Sequence, residues 1–248
     1  MTSISKIALA CAALVAASGA FAQKAGDNIV SIGLASINPD TNVGPLVSTG
    51  AAGTPNAVAG AFNASNAGLR GSIGSQTTVS FGWLHMYSDN IGVELSLGIP
   101  PKLTLDLQRA NGTTEQGAAT VKSLTPAVIA KYFFNTPQDK IRPYLGLGVS
   151  HVSFKDVSPS AAASIQALAG NGASLESTWA PVYNAGVVYN IDEKWSVIGS
   201  VAYLPIRTTA TFLGKTGPIP LAPANGVTTK SDVGLDTMDY VIRVGYRF

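Results

Sequence analysis

The chain is almost without cysteine: Cys11 is the only one in 248 residues, and it sits in an N-terminal apolar run that reads as a removable leader. A mature chain without thiols has no disulfide staples, no thiolate metal site and no cysteine nucleophile. Histidine is nearly as scarce, with His85 and His151 alone. No metal-ligand spacing or Gly-rich phosphate loop accompanies them, so neither a metal nor another cofactor is expected. Charge is scarce too. Losing Lys6 with the leader leaves 16 − 1 = 15 basic residues against 14 acidic ones, and a balance near +1 gives no electrostatic footprint for nucleic acid. After residue 22 no apolar run reaches the ~18 residues that a membrane-spanning helix requires. A chain that is 46% hydrophobic yet lacks spanning helices points to strands.

Both termini say where such a chain would reside. Lys6, the apolar run Ile7 to Ala17 and the small-x-small site Ala20-Phe21-Ala22 before Gln23 form a secretory signal. A lipoprotein signal using Cys11 fails, because Ala8 stands where a Leu is needed. The expected division is a signal peptide over 1–22 and a barrel domain over 23–248, or 248 − 22 = 226 residues, a size all-β barrels reach as one unit. At the other end, Tyr240, Ile242, Val244, Tyr246 and Phe248 alternate with Val241, Arg243, Gly245 and Arg247. Strict alternation closing on an aromatic is how outer-membrane barrels typically finish, and Phe248 is the expected mark for the barrel-assembly machinery.

Alternation and turn residues together predict strands near 28–37, 76–88, 91–107, 120–134, 141–154, 177–190, 195–213 and 236–248. The connections alternate between short, as at Asp89-Asn90, and long, as at 38–75, 155–176 and 214–235. Eight antiparallel strands with short periplasmic turns and long extracellular loops describe an all-β transmembrane barrel of the Gram-negative outer membrane, in contact with its lipid and lipopolysaccharide. A soluble barrel or sandwich shares the alternation. The signal, the terminal Phe and aromatics near strand ends such as Trp83, Tyr87, Tyr132, Phe134 and Trp195 argue against it. The Ala-rich stretch Ser160 to Leu168 predicts a short helix inside a long loop.

Several motifs carry a family resemblance. The run Tyr87-Ser-Asp-Asn-Ile-Gly-Val-Glu-Leu95 with Ile99-Pro100, Leu124-Thr-Pro126 before Lys131-Tyr-Phe133, and Arg142-Pro-Tyr-Leu-Gly-Leu-Gly148 resemble segments of the OmpW family. Trp179, Tyr189, Trp195 and Gly245-Tyr-Arg-Phe248 fall in register with them. The resemblance spans the mature chain. It implies passive uptake of small hydrophobic solutes, with AlkL-type relatives associated with alkanes. Three features depart from the family pattern: a longer first loop, Ser31 in place of a common Arg, and Ser96 where an inward apolar residue is usual. The last leaves no apolar constriction implied at that level.

With the apolar register facing lipid, Ser80, Gly82 and Leu84, Ser96 and Gly98, and Tyr144, Gly146 and Gly148 point inward as lumen candidates. Eight strands exclude a wide porin. So small a lining leaves either a slender cavity or a tightly packed barrel. Glu94, Lys131, Arg142 and Arg243 share the inward register close to the periplasmic end. They form either a paired charged floor beneath a comparatively uncharged cavity or independent charges at an aqueous rim. A cavity above a blocked floor suits a hydrophobic solute that enters from outside and leaves sideways. Trp179 matches a family aromatic at the extracellular mouth; its parity is outward, so a lumen role needs a bulge near Pro181, and a girdle role needs nothing. Two other readings compete. The long loops suit a structural barrel that binds partners at the surface. His151-Val-Ser153 looks like the His-x-Ser of PagL-type lipid A deacylases, but it lacks an orienting acid, and no catalytic residue is expected.

Overall fold

The computed structural model describes residues 23–50, 56–214 and 227–248; the expected signal over 1–22 lies outside them. Thirteen strands occur among the described residues: β1 (Asn28–Val43), β2 (Val47–Gly50), β3 (Arg70–Ile73), β4 (Gln76–Met86), β5 (Ile91–Gly98), β6 (Lys102–Gln108), β7 (Thr114–Leu124), β8 (Ala127–Phe133), β9 (Ile141–Pro159), β10 (Gly172–Leu175), β11 (Thr178–Asn190), β12 (Trp195–Leu213) and β13 (Val227–Arg247). Two helices join them, α1 (Asn56–Ser65) and α2 (Ala163–Ala169).

Eight strands close a ring in the order β1, β4, β5, β8, β9, β11, β12, β13, every neighbour antiparallel. Closure is by β13 against β1, from Ile29↔Arg247 to Val43↔Val233. A closed ring satisfies every ladder group without an edge, which a strand-built membrane protein requires. The outer wall carries the apolar register, with Ile32, Leu147 and Ile242 each more than half exposed.

Short turns at one end set the register, and their chemistry is local. Ser88 Oγ accepts from the backbone N–H of Asn90 and Ile91, and Asn90 Nδ2 donates to the carbonyls of Phe133 and Asn135. Asp192 Oδ1 accepts from the N–H of Lys194 and Trp195, which holds its carboxyl below the usual carboxylate range. Asp and Ser stabilise such turns by replacing ladder bonds with side-chain bonds. At the other end the strands run on: β9 has 19 residues and β13 has 21. At ~3.3 Å per residue, β9 has roughly 60 Å of contour, far more than the ~25 Å apolar band of an outer-membrane barrel needs.

The expected third and fourth strands, 91–107 and 120–134, are each broken in two. Pro100 and Pro101 separate β5 from β6, and Thr125-Pro126 separates β7 from β8. Proline has no N–H for a ladder. The β5–β8 ladder ends at Ser96↔Ala127 and the β6–β7 ladder resumes at Lys102↔Lys122. Across the gap, Ser123 N–H donates to the Pro101 carbonyl at 3.3 Å. Above the gap β7 takes over the pairing with β9, and β6 and β3 follow it outward. Three more differences are extensions: β1 reaches Val43, β9 reaches Pro159 and β13 begins at Val227, so the segments expected as loops at 38–75, 155–176 and 214–235 are partly strand. Helix α2 occupies the stretch expected to be helical, three residues later at its start and one at its end, and buries Ile165, Leu168 and Ala169.

Candidate functional site

The barrel interior is stacked in levels. At the periplasmic end Arg142, wholly buried, donates to backbone carbonyls: Nη1 to Gln23 at 2.5 Å, Nη2 to Asp89 at 2.5 Å, and Nε to Phe134 at 3.3 Å. It ties the first described residues and two turns together. Next come Ile29, Leu84, Met86, Phe133, Tyr144, Val188 and Ile198, a packed apolar cluster. Above it Glu94 receives Lys131 Nζ on Oε2 at 2.5 Å and Arg243 Nη1 on Oε1 at 2.9 Å. Lys131 also sits 4.4 Å from the centre of the Tyr144 ring. Arg243 spends its remaining donors on serines, Nε and Nη2 to Ser80 and Nη2 to Ser96 at 2.7 Å.

The structure places four groups of these candidates away from a charged floor or an open lumen, two of them as the sequence alternatives allowed. Arg142 does not join Glu94 and is held by carbonyls, because its position near the start of β9 puts it at the level of the turns, well below Glu94. Leu84 and Tyr144 point inward but fill the apolar cluster and border none of the three cavities described below. Gly82, Gly146 and Gly148 are small because their neighbours press on them. A Cβ on Gly148 would lie 2.3 Å from the Val128 carbonyl oxygen, one on Gly146 2.9 Å from Ile129 Cγ2, and one on Gly82 2.7 Å from Arg243 Nη1. Trp179 is 67% exposed. Strand β11 pairs with β9 without a register shift from Thr178 to Tyr189, so no bulge turns Trp179 inward, and its ring lies 4.8 Å from that of His151 on the outer surface.

Ser80, Ser96 and Gly98 do border open space. A lumen cavity of about 80 Å³ rests on Glu94 and Arg243 and is walled by Thr78, Gly98, Thr125, Val182 and Ala202. A Cβ on Gly98 would meet nothing nearer than 3.6 Å. Leu97, exposed on the outer wall, is also among the residues around this cavity, two positions before the proline break. A smaller cavity of about 30 Å³ stands next to it, shares Ile37, Thr125, Leu204 and Asp239 with it, and touches Pro101 and Ser123. That one shares Ile73, Leu103, Phe154 and Leu235 with an apolar chamber of about 80 Å³ under α2, lined by Leu46, Leu69, Leu105, Ile165 and Phe212 among others. The three lie in series from the extracellular end to the ionic layer.

Asp239 and Asn184 were not foreseen, and Asp239 corrects the expectation of an uncharged upper cavity. Both border the lumen cavity, and one side-chain oxygen of each, Oδ1, is buried without a hydrogen-bond partner. A signal existed in the sequence: Asp239 is four residues before Arg243 and shares its inward parity. The His-x-Ser pair gives no reactive geometry. His151 packs on Trp179, and Ser153 Oγ donates to the Leu124 carbonyl at 3.5 Å. Among the described residues no group of three or more His, Cys, Asp or Glu is placed to hold a metal.

Known proteins with this architecture agree with it. The sequence matches the OmpW family over residues 24–248. It is 30% identical to outer membrane protein W of Escherichia coli over 249 residues, all of both chains, and 27% identical to outer membrane protein AlkL of Ectopseudomonas oleovorans over 61% of this chain and 60% of that one. The crystal structure of the outer membrane protein OprG from Pseudomonas aeruginosa superposes with a TM-score of 0.75 at 26% identity, over 92% of this chain and 99% of that one. The chain belongs to the OmpW family and is an eight-stranded β-barrel of the Gram-negative outer membrane.

Proposed function

We propose that the protein is a passive conduit for small hydrophobic solutes, which pass from the extracellular chamber down the lumen and leave sideways through the barrel wall. The observation that carries this reading is the series of three cavities that ends on a closed floor and runs beside the gap between 97–101 and 123–126. Solutes descending the series face the Glu94–Lys131–Arg243 layer, and moving an apolar molecule through buried, bonded charges is unfavourable. The wall at the gap is the other way out. There Pro100, Pro101 and Pro126 remove ladder donors, and Leu97, exposed on the outer wall, lies on the strand that borders the cavity. No step needs catalysis; the driving force is partition of apolar surface out of water.

The remaining assignments follow from the location. Residues 1–22 act as a secretion signal, and Phe248, exposed at the chain end, is the mark read by the barrel-assembly machinery. Outer-membrane lipid and lipopolysaccharide are the neighbours of the apolar wall. The test is uptake of toluene by cells that express the protein against cells carrying an empty vector, both with intact lipopolysaccharide. Faster uptake with the protein is expected; equal uptake for toluene and for alkane and terpene probes would rule the conduit out.

A further inference from the structure

Asp239 is a carboxylate inside a barrel whose other lumen charges are already engaged. Arg243, four residues along the same strand, gives its donors to Glu94, Ser80 and Ser96, and Lys131 bonds Glu94 and Tyr144. Asp239 Oδ1 is left with no partner. Asn184 is in the same state: Nδ2 donates to the Val201 carbonyl at 2.9 Å, and Oδ1 is bare. Strand register sets the two on one level. Asn184 pairs with Ala202 on β12, and Ala202 pairs with Asp239 on β13. They stand two strands apart, about 10 Å between backbones, with the small Ala202 between them and Gly98 and Thr78 also bordering the space. A buried acceptor without a donor costs free energy comparable to a lost hydrogen bond. Two such acceptors on residues that border one cavity are complementary to a molecule that carries donors.

We infer that the lumen cavity selects amphiphilic solutes that carry a hydrogen-bond donor, above all a primary ammonium group, which Asp239 and Asn184 hold while the apolar remainder lies against Ile129, Val182 and Leu204. This deepens the conduit reading and rests on it. A primary ammonium brings three donors and a charge opposite to that of a carboxylate at Asp239. An alcohol satisfies an acceptor but gains less, because it carries no charge and so lacks the Coulomb attraction of an ion pair.

Three probes of similar size separate the contributions: toluene, benzyl alcohol and benzylamine, the last protonated at neutral pH. Uptake is measured in cells expressing the wild type, Asp239→Asn or Asn184→Ala, with folding of each barrel checked by its heat-dependent shift in gel mobility. Asp239→Asn is expected to slow benzylamine uptake about tenfold more than it slows toluene uptake, the effect of one hydrogen bond to a charged group. Asn184→Ala is expected to slow benzylamine and benzyl alcohol a few-fold more than it slows toluene. If both variants take up all three probes as the wild type does, or slow all three equally, the inference is overturned and Asp239 only balances the ionic layer. A wild type that passes none of the three removes the conduit reading, and the inference falls with it. A variant that does not fold leaves the other to decide, on the same criteria.

Discussion

Lys131 Nζ lies 2.5 Å from Glu94 Oε2, with both side chains almost wholly buried in the barrel interior. The opposite carboxylate oxygen of Glu94 accepts from Arg243, so one acid holds two cations from strands on either side of it. Removing the acid leaves two buried positive charges with no counter-charge. Glu94→Gln is expected to destabilise the folded barrel by roughly 3–5 kcal/mol, read as a lower urea midpoint in detergent or lipid. Unchanged stability would mean that the layer is hydrated and its charges independent.

The packed cluster and ionic layer also bear on ion flow. Met86 and Phe133 are fully buried beneath the ionic layer, and an open aqueous pore would leave such side chains wetted. In planar bilayers the wild-type protein is expected to give no current steps above the bare membrane in symmetric salt. Regular steps would show a through-path past Glu94.

The inward glycines fall into two kinds, and alanine tells them apart. Gly148→Ala forces a methyl group against the Val128 carbonyl oxygen and is expected to cost on the order of 2 kcal/mol in stability. Gly98→Ala adds a methyl group where space exists and is expected to leave the urea midpoint unchanged.

Trp179 offers a control on the outer surface. Its edge contact with His151 and its exposure to the lipid side give Trp179→Ala an expected cost of about 1 kcal/mol, typical of one aromatic pair. Toluene uptake should be unaffected, and a large loss of uptake would place Trp179 on the solute route.

Much of this was legible in the sequence because a strand has a period of two. Once the C-terminal alternation fixed which parity faces lipid, Glu94, Lys131 and Arg243 could be placed inside, and the short turns gave their depth. Parity says nothing about how closely two walls approach. That is why Gly82 and Gly98 look alike in sequence, although one is pressed by Arg243 and the other stands in open space. The broken strands escaped for a different reason. Apolar residues continue in step through Ile99 and Leu103, so the pattern reads as one strand; only the missing N–H groups of Pro100, Pro101 and Pro126 signal a gap. Asp239 went unnoticed because it opens an alternating run whose apolar members carried the interpretation, although its own parity is that of Arg243.

The sideways route is tested most directly at Gly98. Gly98→Leu puts an apolar side chain into the lumen cavity beside Leu97 and Thr125, with no backbone within 3.6 Å of the new Cβ, so the barrel should still fold. Toluene uptake by cells expressing this variant is the measurement, alongside wild type, Gly98→Ala and an empty vector, with equal amounts of folded barrel confirmed in each. The expected result is uptake near the empty-vector rate for Gly98→Leu and near wild type for Gly98→Ala. Wild-type uptake by Gly98→Leu would contradict the route through the lumen cavity and the wall.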